Sequence, residues 1–178
     1  MSSQAVTPSL TLSRTGDKMP IVGFGCWKVS KDVTEHTVEC AIREGYRLFD
    51  SACDYGNEVE VGRGIANAIK AGVVKREELF VTTKLWNTYH KKEHVRAAFD
   101  RQLKDLGLDY FDLYLVHFPV PLQYVPMETK YPPEWFPPGE SKTKLEKAPL
   151  HELWPEMEKL VHEGLVKNIG ISNFNVQL

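Results

Sequence analysis

The sequence predicts an α/β fold built on a parallel sheet, and three observations carry that expectation. Short runs rich in Val, Ile, Leu and Phe alternate with helix-period stretches along the chain. The runs that end at Asp50, Lys84 and His117 are spaced as βα units, too widely for a short solenoid repeat. Each run stays apolar until its end and then turns polar, as buried parallel strands do when their carboxyl ends face a ligand.

Taken in order, residues 1–9 read as a disordered tail. Leu10–Ser13 and Met19–Val22 flank Arg14-Thr15-Gly16-Asp17 and predict a short hairpin. The apolar run Pro20–Trp27 precedes a helix over Asp32–Glu44. Arg47–Ala52 predicts a strand, Glu58–Lys70 a helix and Leu79–Leu85 a strand. Glu93–Leu106 predicts a helix with Val95, Phe99, Leu103 and Leu106 on one face, and Phe111–Phe118 a strand. Pro149–Glu163 is the clearest helix, because Leu150, Leu153, Trp154, Met157, Leu160 and Val161 follow i, i+3, i+4, i+7 spacing before Gly164. Val166–Asn173 predicts the last strand. Residues 118–149 interrupt this rhythm with eight of the eleven prolines and with Phe118, Tyr124, Tyr131, Trp135 and Phe136. Such a loop is either a stiff excursion or the aromatic wall of a pocket.

Composition narrows the function. The 178 residues carry 22 Lys and Arg against 24 Asp and Glu, a net charge of −2 that argues against a nucleic-acid partner held by bulk charge. A hydrophobic content of 42% and a charged content of 26% are those of a globular domain. No apolar run reaches membrane-spanning length, and Met1–Ser9 lacks the basic cluster and apolar stretch of a secretory signal, so a cytoplasmic location and no membrane partner are expected. Cys26, Cys40 and Cys53 are odd in number and widely spaced, which reads as structural thiols in a reducing compartment, with no metal site. His90 and His94 lie i, i+4 but sit among Lys91, Lys92 and Glu93, the composition of a solvated face. Gly23-Phe24-Gly25 and Gly62-Arg63-Gly64 lack the context of a dinucleotide fingerprint.

The polar strand ends Asp50, Lys84, His117 and Asn173 carry the main chemical signal. Singly, each has a plain structural role: a helix cap, a solvated strand end, a satisfied core histidine, a turn. At four corresponding positions they point to one shared site.

Leu48-Phe49-Asp50-Ser51-Ala52-Cys53-Asp54-Tyr55-Gly56-Asn57-Glu58 resembles the aldo-keto reductases. Val81-Thr82-Thr83-Lys84-Leu85-Trp86, Leu115-Val116-His117-Phe118-Pro119 and Gly170-Ile171-Ser172-Asn173-Phe174 follow in that family's order and spacing. The resemblance covers about residues 10–178, and Tyr131-Pro132-Pro133 brings it nearest to fungal D-xylose (aldose) reductases. It implies a (β/α)8 TIM barrel closed below by a hairpin. It also implies NADPH, or NADH, bound without a Rossmann domain. Asp50, Tyr55, Lys84 and His117 would form the catalytic tetrad. Lys28, Asp50, Ser172 and Asn173 would meet the cofactor, and Trp27, Trp86, His117 and Phe118 the substrate. A barrel of this type needs about 250 residues and eight strands. Residues 10–178 therefore supply only its N-terminal portion, the hairpin plus about five strands. That portion alone is expected to be unstable and weakly active or inactive, with open sheet edges. At full length a monomer or homodimer is expected.

The activity implied is NAD(P)H-dependent reduction of an aldehyde or aldose, D-xylose to xylitol among them. Side chains cannot supply a hydride, so the cofactor must. Tyr55 would protonate the forming alkoxide, and its phenol, ordinarily near pKa 10, needs the Lys84 ammonium to lower it by roughly 1–3 units. Asp50 would offset the desolvation of Lys84, and a neutral His117 would donate to the substrate oxygen. Two alternatives remain on the same scaffold: a nicotinamide-binding sensor subunit with slow turnover, and an aldolase forming a Schiff base on Lys84.

Overall fold

The computed structural model describes residues 8–177. Most of the expected tail lies outside them, but Ser9 is corrected: it opens strand β1. β1 (Ser9–Thr11) and β2 (Lys18–Pro20) form the antiparallel hairpin, paired Leu10 to Met19. β3 (Gly23–Gly25), β4 (Leu48–Asp50), β5 (Phe80–Leu85), β6 (Phe111–Val116) and β7 (Val166–Ile171) form one parallel sheet in chain order. The intervening helices are α1 (Lys31–Arg43), α2 (Glu58–Lys70), α3 (Lys92–Leu106) and α4 (Leu150–His162). Every expected element is present, and most strands end a residue or more earlier than their apolar runs.

The hairpin docks at the amino end of β7. Arg14 donates to the Lys167 carbonyl at 2.7 Å, and Thr15 and Asp17 bond the Asn168 amide at 2.9 and 2.7 Å. It thus closes the end opposite the polar rim.

Burial is deepest at the middle of the sheet. All six residues of β5 are buried, as expected for a strand covered on both faces. Phe99 from α3 packs edge-on against Phe111 and Tyr114 of β6, at ring separations of 5.1 and 5.4 Å. Gly62 lets α2 approach α3, since a Cβ there would lie 2.2 Å from the Leu106 carbonyl oxygen. This close approach explains a glycine inside a helix despite its cost of about 1 kcal/mol. Pro155 removes one hydrogen bond from α4, and the buried Leu153, Met157 and Leu160 hold that helix against the sheet.

The edges are open. β3 is exposed or half-exposed at each residue, and on β7 Ile171 is 51% exposed. Beside it Leu150, His151, Trp154 and Phe174 border a shallow apolar recess of about 380 Å³. Among the described residues, no helix is long and apolar enough to cross a membrane.

Candidate active site

Four neighbouring strands deliver the polar residues to one rim. Asp50 is the last residue of β4, Lys84 the penultimate residue of β5, and His117 directly follows β6. The parallel register sets Lys84 beside Leu115 and Leu85 beside Val116, so these ends lie level. Tyr55 arrives by a different route. A single 3₁₀ turn, Cys53–Tyr55, follows β4 and is stopped by Gly56 at φ 75°, a left-handed conformation that glycine adopts without strain.

Lys84 is the hub. Its Nζ donates to Asp50 Oδ1 at 2.8 Å, the Ser51 carbonyl at 2.9 Å and the Tyr55 hydroxyl at 3.0 Å. All three ammonium hydrogens therefore have acceptors. The Lys84 side chain is 6% exposed and Asp50 39% exposed. Burial pushes the Lys84 pKa down, but the Asp50 charge and the hydrogen bonds to Asp50 and Tyr55 outweigh it and leave the group above its ordinary value. The amine is held charged.

Tyr55 departs from expectation. Burial pushes its phenol upward more than the Lys84 hydrogen bond and charge pull it down, and Asp50 and Asp54 add to the rise. The contribution of Lys84 has the expected sign, yet the hydroxyl stands above its ordinary value instead of below it. In this arrangement Tyr55 keeps its proton.

His117 turns its ring toward Tyr55 at 5.9 Å and Trp86 at 5.3 Å, and stacks on Phe118 at 4.5 Å. Its Nδ1 lies 3.1 Å from Asp54 Oδ1. The pair is not aligned as a hydrogen bond, and among the described residues neither atom has another partner. Trp27, 63% exposed, tilts over Tyr55 at 6.5 Å. The proline-rich loop supplies a further wall: Trp135 packs edge-on against Trp86 at 5.0 Å and against Phe118 at 5.1 Å. Hydrogen bonds from Leu122 to the Asn87 carbonyl and from Trp86 to the Glu134 carbonyl tie the loop down.

The expected cofactor residues form a looser group. Asn173, at φ 62°, donates to the His117 carbonyl at 2.8 Å and to Ser172 Oγ at 3.1 Å. That leaves the Asn173 side-chain oxygen as an acceptor and the Ser172 hydroxyl as a donor, a set complementary to a carboxamide. Lys28, also at positive φ, holds its Nζ 4.4 Å from the Trp27 ring at the exposed end of the site. The donor types thus fit a nicotinamide and an anionic group beyond it.

Sequence reasoning did not single out Asp54, and it offered Trp135 only as one of five loop aromatics that could wall a pocket. The position of Asp54 beside Tyr55 on one tight turn was the available signal, whereas Trp135 depended on the path of a loop without periodicity. His90 is corrected: it is buried and its pKa falls to about 4 by desolvation and the nearby His117, while His94 stacks on Tyr124 at 3.6 Å. The loop covers a face that its neighbouring charges made look solvated.

Known proteins match this sequence and fold. The Aldo/keto reductase family model matches residues 20–178, and the chain belongs to that family. It is 65% identical over 171 residues to 4-dihydromethyl-trisporate dehydrogenase of Mucor mucedo, covering 96% of this chain and 53% of that protein. It is 51% identical over 178 residues to NADH-dependent D-xylose reductase of Candida parapsilosis, covering 100% of this chain and 55% of that protein. The aldose reductase of Schistosoma japonicum superposes with a TM-score of 0.86 at 42% identity, over 96% of this chain and 54% of that one. The chain thus spans about half the length of these relatives.

Proposed function

We propose that this chain carries the proton-donating centre of an NAD(P)H-dependent aldehyde or aldose reductase, with Tyr55 as general acid. The observation that carries this reading is Lys84 Nζ bonded at once to Asp50 and to the Tyr55 hydroxyl. The nicotinamide, when bound, supplies the hydride. Ser172 and Asn173 would hold its carboxamide, Asp50 would lie beside it, and Lys28 would meet its pyrophosphate. The Tyr55 hydroxyl protonates the alkoxide oxygen as charge builds there, and the Lys84 ammonium stabilises the phenolate left behind. His117 orients the carbonyl oxygen, while Trp27, Trp86, Phe118 and Trp135 exclude water from it.

D-xylose is the proposed sugar substrate, with xylitol as product. A second reading runs the same chemistry backwards, as alcohol oxidation. The 65% identity to a dehydrogenase of 4-dihydromethyl-trisporate favours testing it, and the aromatic lining suits an apolar substrate. The Schiff-base alternative fits poorly, because a lysine held protonated by Asp50 has no free electron pair to attack a carbonyl.

The deciding experiment uses the protein expressed from its complete reading frame. NADPH oxidation is followed with D-xylose and with glyceraldehyde, and NADP⁺ reduction with 4-dihydromethyl-trisporate. Tyr55→Phe lowers kcat by about 10²- to 10⁴-fold and leaves NADPH affinity little changed. Near-normal turnover in that variant would remove Tyr55 from the role. Tight NADPH binding with turnover negligible on every substrate would favour the sensor reading.

A further inference from the structure

Behind β5, on the face away from the Lys84 side chain, lies a buried polar cluster that the reaction as described does not use. Thr83 Oγ1 and Glu58 Oε1 are 2.6 Å apart. The Gln102 amide nitrogen lies 3.1 and 3.4 Å from the two Glu58 oxygens, 2.8 Å from Thr83 Oγ1 and 3.2 Å from the backbone carbonyl of Lys84. Tyr114 donates to the Gln102 side-chain oxygen at 2.8 Å. Glu58, Thr83, Gln102 and Tyr114 are all buried.

The geometry is oversubscribed. One amide nitrogen has two hydrogens and four oxygens within reach. A carboxylate anion draws such hydrogens about twice as strongly as a neutral acceptor does. An ionised Glu58 would therefore pull them from the Lys84 carbonyl. A neutral carboxyl reverses the balance: it still accepts the Thr83 hydroxyl across the 2.6 Å contact but draws the Gln102 hydrogens less than the anion does, leaving one for Lys84. The surroundings favour the neutral form. Cys53 and Asp54 on the 3₁₀ turn, Asp105 on α3, Tyr114 on β6, Tyr131 of the long loop and Cys26 after β3 all face or flank Glu58. Among these groups none is a cation; Arg101 lies over the Tyr131 ring, 3.9 Å from its centroid, and is paired with Asp105.

We propose that Glu58 is a positioning residue, acting in its neutral form: it frees the Gln102 amide to hold the Lys84 backbone, and so keeps the ammonium on Tyr55. Burial, with the Asp105 and Asp54 charges, outweighs the downward pull of the Thr83 and Gln102 hydrogen bonds and raises the Glu58 carboxyl to about 8, so this support is present at neutral pH and is withdrawn as pH rises through that value. The inference rests on the reductase reading.

The test again uses the complete reading frame with NADPH and glyceraldehyde. Glu58→Leu lowers kcat about tenfold with KM changed less than twofold, and Glu58→Gln rescues most of that loss. The alkaline decline in kcat that begins near pH 8 in the parent is absent in Glu58→Gln. Infrared difference spectra without substrate, parent minus Glu58→Gln, show a protonated-carboxyl band at pH 7 that fades through pH 8. Failure of Glu58→Gln to rescue, an unmoved alkaline limb, or an absent band in an active parent would each overturn the inference alone. A parent that shows the band but oxidises no NADPH with any aldehyde would remove the reductase reading, and this inference with it.

Discussion

β5 and β7 reach the same rim but are built differently. β5 is buried along its whole length, and its last turn of chain fixes Lys84 by three hydrogen bonds in front and the Gln102 amide behind. β7 runs from buried Val166 to exposed Ile171 and then hands over to Ser172 and Asn173, which are held by the Val116 and His117 carbonyls and by each other, with no side chain among the described residues bonded behind them as Gln102 is behind Lys84. The proton-handling groups are thus a product of core packing, while the pair proposed for the carboxamide, Ser172 and Asn173, sits on a turn at an open edge. A charged amine needs that packing: without Asp50 and Tyr55 in place, burial would neutralise it.

The largest effect expected from this contrast is on stability at the centre. Phe99→Ala removes a ring that touches Phe111 and Tyr114 and leaves a cavity beside β6, costing about 3–5 kcal/mol. Urea denaturation measures it. A loss below about 1 kcal/mol would mean that the middle of the sheet is no better packed than its edge.

Lys84→Met comes next. It leaves the backbone network intact and removes the charge that stabilises the Tyr55 phenolate, so kcat falls by about 10²-fold and the apparent pKa of the acid rises. A pH-rate profile that does not move would separate Lys84 from Tyr55 chemically despite their 3.0 Å contact.

A smaller effect follows from Glu58. Its folded pKa of about 8 lies above its ordinary 4.5, so between those values the folded state binds more protons than the unfolded one. Stability therefore falls as pH rises through that window, with a slope of at most about 1.4 kcal/mol per pH unit. Glu58→Gln removes this component of the slope, which denaturation at a series of pH values reads directly.

These residues also show what the sequence could and could not reveal. Asp50, Lys84 and His117 were legible because a parallel strand makes a polar residue at its end conspicuous against an apolar run. The hairpin and all four helices were legible from turn residues and periodicity. Gln102 was not, because a polar residue on the apolar face of α3 reads as an imperfection until Tyr114 and Lys84 are seen around it. Glu58 reads as an acidic residue in a helix's first turn, and nothing local marks it as buried. Its setting depends on Thr83 and Gln102, both distant in sequence. The net direction of the Tyr55 shift was missed for a related reason: the ammonium was inferable, but the depth of burial that outweighs it comes from the assembled rim.

The smallest expected effect probes the open edge. At 51% exposure, Ile171 gains little from burial in this arrangement, so Ile171→Ser should change the stability of the 178-residue chain by no more than about 0.5 kcal/mol. The same substitution in protein from the complete reading frame distinguishes two origins of that exposure. If a further strand pairs with β7 there, Ile171 becomes a core residue and its loss costs several times more. If the cost stays equally small, Ile171 is exposed in both forms and the contrast between β5 and β7 is a permanent feature of the site. A large loss in the 178-residue chain itself would show that this edge is covered in solution and would break the comparison.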